Sequence, residues 1–167
     1  MGSERGWPGA GHSLPELLAV LSIVGILVSI VVPRLDGYIS RARVRGAAGM
    51  LRGDLTHARM LGVRSGHGSV VTFLREPECA DDDPRAGRAW RVAARGPSRA
   101  EIPASLRALA GRVCYAWNGS DSMIFNSRGV LAPFNNRTLR VREGAVVESV
   151  TVSVAGRILH RAKQGKP

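Results

Sequence analysis

Aromatic residues are scarce, 5% of 167 positions, so a broad stacking platform is not expected. Cysteine occurs only twice, which excludes a disulfide-dense miniprotein and a four-cysteine zinc site. Acidic residues are outnumbered, 13 Asp and Glu against 24 Lys and Arg, leaving a formal net charge of +11. That balance excludes an acidic solvating protein and points to polyanionic partners: nucleic acid, anionic lipid or an acidic protein surface. Reactive constellations are missing as well. His12, His57, His67 and His160 are scattered without metal-ligand spacing to the cysteines. Asp81-Asp82-Asp83-Pro84 lacks the calcium-loop pattern. Gly66-His67-Gly68 is not followed by the Gly and Lys of a phosphate loop. No nucleophile, base and acid can be assembled. No catalytic residue, metal or cofactor is therefore expected, and the chain reads as something other than an enzyme.

What is present is apolar residue, 44% of the chain, enough for a core and too much for full disorder. Charge is concentrated in two places. Residues 34–67 hold seven Arg against Asp36 and Asp54, and residues 126–167 hold six Arg and two Lys against Glu143 and Glu148. Residues 17–32, LLAVLSIVGILVSIVV, carry no charge, and Pro33 closes the run. The 21 residues from His12 to Val32 would form a helix roughly 31 Å long, about one hydrocarbon thickness. It would be apolar on every side, so it belongs in lipid or among similar helices. A cleaved secretory signal would show a small-x-small site after the run; here Pro33-Arg34-Leu35-Asp36 follows. Glu16 stands at the border of the run, where an ionised carboxylate needs a partner or a use.

Residues 11–35, GHSLPELLAVLSIVGILVSIVVPRL, resemble the N-terminus of the type IV pilin and type II secretion pseudopilin superfamily. The resemblance lies in a Gly, a short turn, Leu14, Glu16, a long apolar helix with Gly25, and Pro33. It implies that a prepilin peptidase cuts between Gly11 and His12 and that the new amine on His12 is methylated. Glu16 would be the fifth mature residue, pairing with a neighbour's N-terminal ammonium during assembly. In a low-dielectric helical bundle either charge left alone is heavily penalised, so such pairing would select the register. His12 stands where the family usually has Phe, and Pro15 where an aliphatic residue is usual, a position in the first helical turn that tolerates proline. Arginine lies mainly on the C-terminal side of the run, which read alone places the rest of the chain in the cytoplasm. The resemblance implies the opposite orientation and is the more specific signal.

Residues 34–64 continue a helical pattern. Arg34, Arg41, Arg45, Arg52 and Arg59 fall along one line, while Ala47, Leu51, Leu55 and Ala58 form a different face fit to pack on a sheet. Beyond Gly66 the period shortens. Strands are expected over residues 69–74, 89–94, 112–117, 123–126, 138–142 and 146–154, with a helical turn or an edge connection over 101–111. The head resembles the H-type minor pseudopilins, the GspH/FimT-like proteins, in three places: VVTF after the helix and its polar turn, IFNSRGVLAP (124–133) and VTVSVAGRI (150–158). The expected fold is thus α+β and pilin-like, a long N-terminal hydrophobic helix followed by a mostly antiparallel sheet head. The expected divisions are a leader over 1–11, a transmembrane and filament-core helix over 12–33, its amphipathic continuation over 34–66 and a β-rich periplasmic head over 67–167.

The resemblance implies a minor pilin or pseudopilin of a type IV pilus or type II secretion system, stored in the inner membrane with its N-terminus cytoplasmic. Its partners would be the prepilin peptidase, other major and minor subunits and the inner-membrane assembly platform, with Gly25 and Pro33 as helix-softening points. The alternative is a DNA-binding subunit for natural transformation. Some FimT-like members bind DNA through a C-terminal Gly-Arg-x-Arg; here Gly156-Arg157 is followed by Ile158 and by Leu159 in the second Arg position. Arg161, Lys163, Arg140 and Arg142 would supply the remaining cations, and Trp90, Tyr115, Trp117 and Phe134 are either core or stacking groups. Cys79 and Cys114, 35 positions apart, could form a disulfide in an oxidising periplasm if strand geometry allows it.

Overall fold

The structure is a computed structural model that describes residues 13–80, 83–97 and 100–162. Among the described residues one α-helix, α1 (Leu14–Ser65), is followed by ten strands. The chain forms two compact units, Met1–Ile39 and Ser40–Pro167.

In the first unit, α1 starts where the Ser13 carbonyl accepts the N–H groups of Glu16 (3.0 Å) and Leu17 (3.2 Å). Pro15 sits in the first turn, where its missing N–H is no loss. The helix runs through Gly25 and Pro33 without a break. Leu17, Leu21, Ile23, Val24, Ile26 and Val28 are each 47–66% exposed. Ser22 Oγ donates to Leu18 O (2.8 Å) and Ser29 Oγ to Ile26 O (2.7 Å), so the hydroxyls of the run are satisfied inside the helix. Among the described residues, no helix is long and apolar enough to cross a membrane.

In the second unit, α1 lays Val44, Ala47, Ala48, Leu51, Leu55 and Ala58 against two sheets, and all are buried. Burying Leu51 and Leu55 contributes about 1.5–3 kcal/mol each. The strands are β1 (Ser69–Leu74), β2 (Ala86–Gly87), β3 (Ala89–Arg95), β4 (Glu101–Ala108), β5 (Cys114–Trp117), β6 (Ser122–Phe125), β7 (Leu131–Ala132), β8 (Arg137–Glu143), β9 (Val146–Val152) and β10 (Ile158–Ala162). The first sheet has the order β4-β3-β1-β6-β7 and the second β10-β9-β8-β5-β2. All pairings described are antiparallel.

Aromatic rings join the sheets. Phe73 and Trp90 of the first meet Tyr115 and Trp117 of the second, with centroids 5.4–5.8 Å apart. Trp90 Nε1 donates to Asp54 Oδ2 of α1 (3.0 Å), and Tyr115 Oη donates to Ala89 O. Burial raises the Tyr115 phenol above its ordinary range. Trp90, Tyr115 and Trp117 are therefore core, not stacking groups.

Residues 101–111 do not form a helical turn; they hold β4, an exposed edge strand. Its Pro103 and the register shift opposite Val92 and Ala93 blunt that edge against further pairing. The expected late strand is also corrected: β9 ends at Val152, a turn follows, and β10 is a separate edge strand in regular register with β9. Cys79, in a 3-10 turn (Pro77–Cys79), is disulfide-bonded to Cys114 of β5 with Cα atoms 5.8 Å apart. With Ala86 and Ala116 the pair forms a second, smaller cluster.

Replacing both Cys79 and Cys114 with Ser should cost roughly 3–4 kcal/mol on the loop-entropy scale. Urea unfolding measures this, and an unchanged midpoint would show that the crosslink adds nothing.

Candidate functional site

Of the residues expected to act in processing and assembly, Gly11 and His12 lie outside the described residues. Glu16 is exposed in the first turn of α1. A Cβ on Gly25 would meet nothing within 4 Å. In the second unit the helix presents a small-residue face to solvent: Gly46, Gly49 and Gly53 each have open space where a Cβ would be. Met50 and Met60 are exposed beside them.

The arginines divide into two groups. Four of the first sheet and its connections are paired with carboxylates. Arg75 Nη2 donates to both carboxylate oxygens of Asp121 (2.9 and 2.8 Å). Arg88 meets Glu78 (2.9 Å) and Glu76 (3.8 Å), Arg91 meets Glu101 (3.9 Å), and Arg107 meets Asp54 (3.8 Å). The hydrogen bond from Arg75 is the main reason the Asp121 carboxyl is held below the usual range. On the second sheet, Arg140, Arg157 and Arg161 are exposed and have no carboxylate partner among the described residues.

Register aligns part of this second group. Ala116 pairs with Arg140, Arg140 with Ser149, and Ser149 with Arg161. Paired residues in a sheet project to the same face. Arg140 and Arg161 therefore stand on one outer row, with Ser149 between them, roughly 10 Å apart at two strand spacings. Arg142 is partly buried and donates to Cys79 O (3.4 Å). Lys163 lies outside the described residues, as do Asp81 and Asp82. Phe134 is 73% exposed and is the one aromatic of the expected four left at the surface.

The helical arginine line is not simply a solvated face. Arg45 Nε lies 3.6 Å from Glu148 Oε1 of β9, and the other Glu148 oxygen is 2.6 Å from His160 Nε2 of β10. Arg59 Nε donates to Gly129 O (3.1 Å). Gly156 packs on the same carbonyl at φ +74°, where a Cβ would run into Gly129 O and lie 3.0 Å from Arg59 Nε. The glycine of the Gly156-Arg157 pair is thus required by packing, while Arg157 is exposed beside it.

Two buried charges escaped the sequence reading. Arg137 is 4% exposed and Glu148 5%. Arg137 Nη2 donates to Ser120 O (2.6 Å), Ser120 Oγ (2.9 Å) and Ser122 O (2.8 Å), fastening the β5–β6 turn to β8. Burial, then the nearby Arg85 charge, lowers its pKa. Strand parity held the clue: Arg137 shares a face with Leu139 and Val141, and Glu148 with Val150 and Val152.

No protein-family profile matches the chain, and no curated protein matches it. Solved structures do. The type IV minor pilin FimU of Pseudomonas aeruginosa aligns with a TM-score of 0.59 at 19% identity, over 77% of this chain and 98% of FimU. The minor pseudopilin EpsH of the Vibrio cholerae type 2 secretion system gives 0.56 at 12% identity, over 74% and 99%. GspH of Escherichia coli gives 0.54 at 13% identity, over 77% and 94%. The chain has the pilin-like α+β fold. At such identities the likeness to these minor pilins and pseudopilins is one of fold.

Gly156→Ala should destabilise the head by roughly 1–3 kcal/mol through backbone strain and the lost approach to Gly129, whereas Arg157→Ala should stay within about 0.5 kcal/mol. Equal effects of the two in denaturant unfolding would refute this division of roles.

Proposed function

We propose that the chain is a minor pilin or pseudopilin: a structural subunit stored in the inner membrane, trimmed by a prepilin peptidase and assembled into a pilus or secretion pseudopilus. The observation that carries the reading is an apolar helix exposed on all sides, its serine hydroxyls satisfied internally, in a chain whose head has the fold of FimU, EpsH and GspH. Such a helix requires lipid or other helices around it. In this reading residues 1–11 are the leader, 12–33 the anchor and later filament core, 34–66 the helical continuation and 67–167 the periplasmic head. Gly11 and His12 form the processing site, with methylation on His12, and Glu16 guides docking onto the assembly platform and neighbouring subunits. Gly25 and Pro33 soften the helix. The glycine face of Gly46, Gly49 and Gly53 favours close approach of a neighbouring helix.

Mass spectrometry of the chain recovered from cells with an active prepilin peptidase should find a mature N-terminus at His12. Gly11→Ala should leave the leader in place, and Glu16→Ala should be cleaved but absent from sheared filaments. An intact Met1–Gly11 segment on the wild-type product would overturn the reading.

A second reading, capture of DNA on the displayed head, is favoured by the outer row of Arg140 and Arg161, with Arg157 in the adjoining turn. Arg142 and Lys163 would add to the same field. Phosphate neutralisation releases counterions, so affinity should fall steeply with salt. Fluorescence anisotropy with duplex DNA should show this slope, reduced by about one for each arginine removed among Arg140, Arg157 and Arg161. No binding at low salt would eliminate DNA as a ligand.

A further inference from the structure

The edges of the two sheets are unequal. Edge strands β2 and β7 have two residues each, and β4 carries Pro103 and an irregular register. β10 has neither defect: all five of its residues pair in regular register with β9. Among the described residues it is the one long sheet edge open to another strand. In the turn before it, Ser153 N–H bonds to Arg157 O (2.9 Å). Antiparallel pairs alternate, so Leu159 and Arg161 direct their backbone groups to β9. The N–H and C=O groups of Ile158 and His160 then face the free edge.

A row of guanidinium groups runs beside this edge. Arg45 is held to Glu148, which pairs in register with Ala162 at one end of β10. Arg59 is held at the carbonyl on which Gly156 packs, just before the other end. From Arg45 to Arg59 the helix advances ~21 Å, and from Gly156 to Ala162 an extended chain covers ~20 Å. The two elements therefore run alongside each other over the same length. Arg52 lies midway on the helix, exposed and without a carboxylate partner among the described residues. Arg157 and Arg161 stand on the outer side of β10 in the same condition.

We propose that β10 is a docking edge for an acidic, extended peptide segment of another protein subunit, which adds as a sixth strand to the second sheet. Its backbone would pair with Ile158 and His160. Its carboxylates, alternating between the two faces of the sheet, would meet Arg157 and Arg161 on the outside and Arg52 on the helix side. Backbone pairing gives such a contact its affinity and alternate side chains its selectivity. A polyanion without a peptide backbone satisfies the arginines but not the open edge, which is why the occupant is a strand.

The test uses the full chain in detergent micelles and a blocked acidic octapeptide of glutamate, threonine and valine. Anisotropy should show binding that a lysine-for-glutamate peptide lacks, weakened about fivefold by Arg52→Ala or Arg161→Ala. Both arginines are exposed, and circular dichroism checks that the variants stay folded. Amide exchange followed by NMR should show new protection at Ile158 and His160. An acidic peptide N-methylated at alternate amides should bind poorly and protect neither. Failure of the acidic peptide to bind at low salt, binding without that protection, or equal binding of the N-methylated peptide would each overturn the proposal. Concentration-dependent protection without peptide would assign the edge to a second copy instead. Displacement of the peptide by oligothymidylate that protects neither amide would assign the arginines to nucleic acid and overturn it too. None of these readouts involves processing or filament assembly, so the edge can fail the test while the subunit reading stands.

Discussion

The burial of one helical face holds the head together. Val44, Ala47, Ala48, Leu51, Leu55 and Ala58 of α1 are fully in the core, and Leu61 packs against it one turn further on. Both sheets close over that face, and without it each would expose its inner side to water. The small residues in the set let the helix lie close to the strands. The two leucines share one hydrophobic core with Trp90, Tyr115 and the valines of β1, β3, β8 and β9. Trp90 Nε1 bonds to Asp54, so the largest ring in the core is tied to the helix it packs beside.

This arrangement leaves the opposite side of α1 outside the core. The same helix therefore has two environments. Within the second unit its sheet-facing side is spent on stability, and its outer side, with Gly46, Gly49 and Gly53, is open to solvent.

Much of this was legible in the sequence, because periodicity reports burial. The shift from a helical to an alternating pattern near Gly66 is plain, and β1, β3, β5, β6, β8 and β9 match the segments read as strands to within two residues at each end. β4 was less legible: its Pro103, Ala104 and Leu106 suit an edge or a helical turn equally, and an exposed edge strand has no buried alternation to betray it. The split between β9 and β10 depends on the contact of Gly156 with Gly129, a pairing of distant positions invisible in local sequence. The disulfide was open for the same reason. The division of arginines into paired and unpaired sets also needed coordinates, since Arg75 with Asp121 or Arg45 with Glu148 joins residues far apart in the chain. Arg137 and Glu148 were hidden by their type, because charged residues are expected in water, although the parity of their strands pointed inward.

Arg45 reaches Glu148 of the second sheet at one end of β10, and Arg59 holds the β6–β7 turn of the first sheet through Gly129 O, on which Gly156 packs at the other end. A pull along the helix axis is thus delivered nearly parallel to β10 and β9. Ladder bonds loaded in that direction must give way together rather than one after another, which makes this joint strong against traction and comparatively weak against a sideways peel.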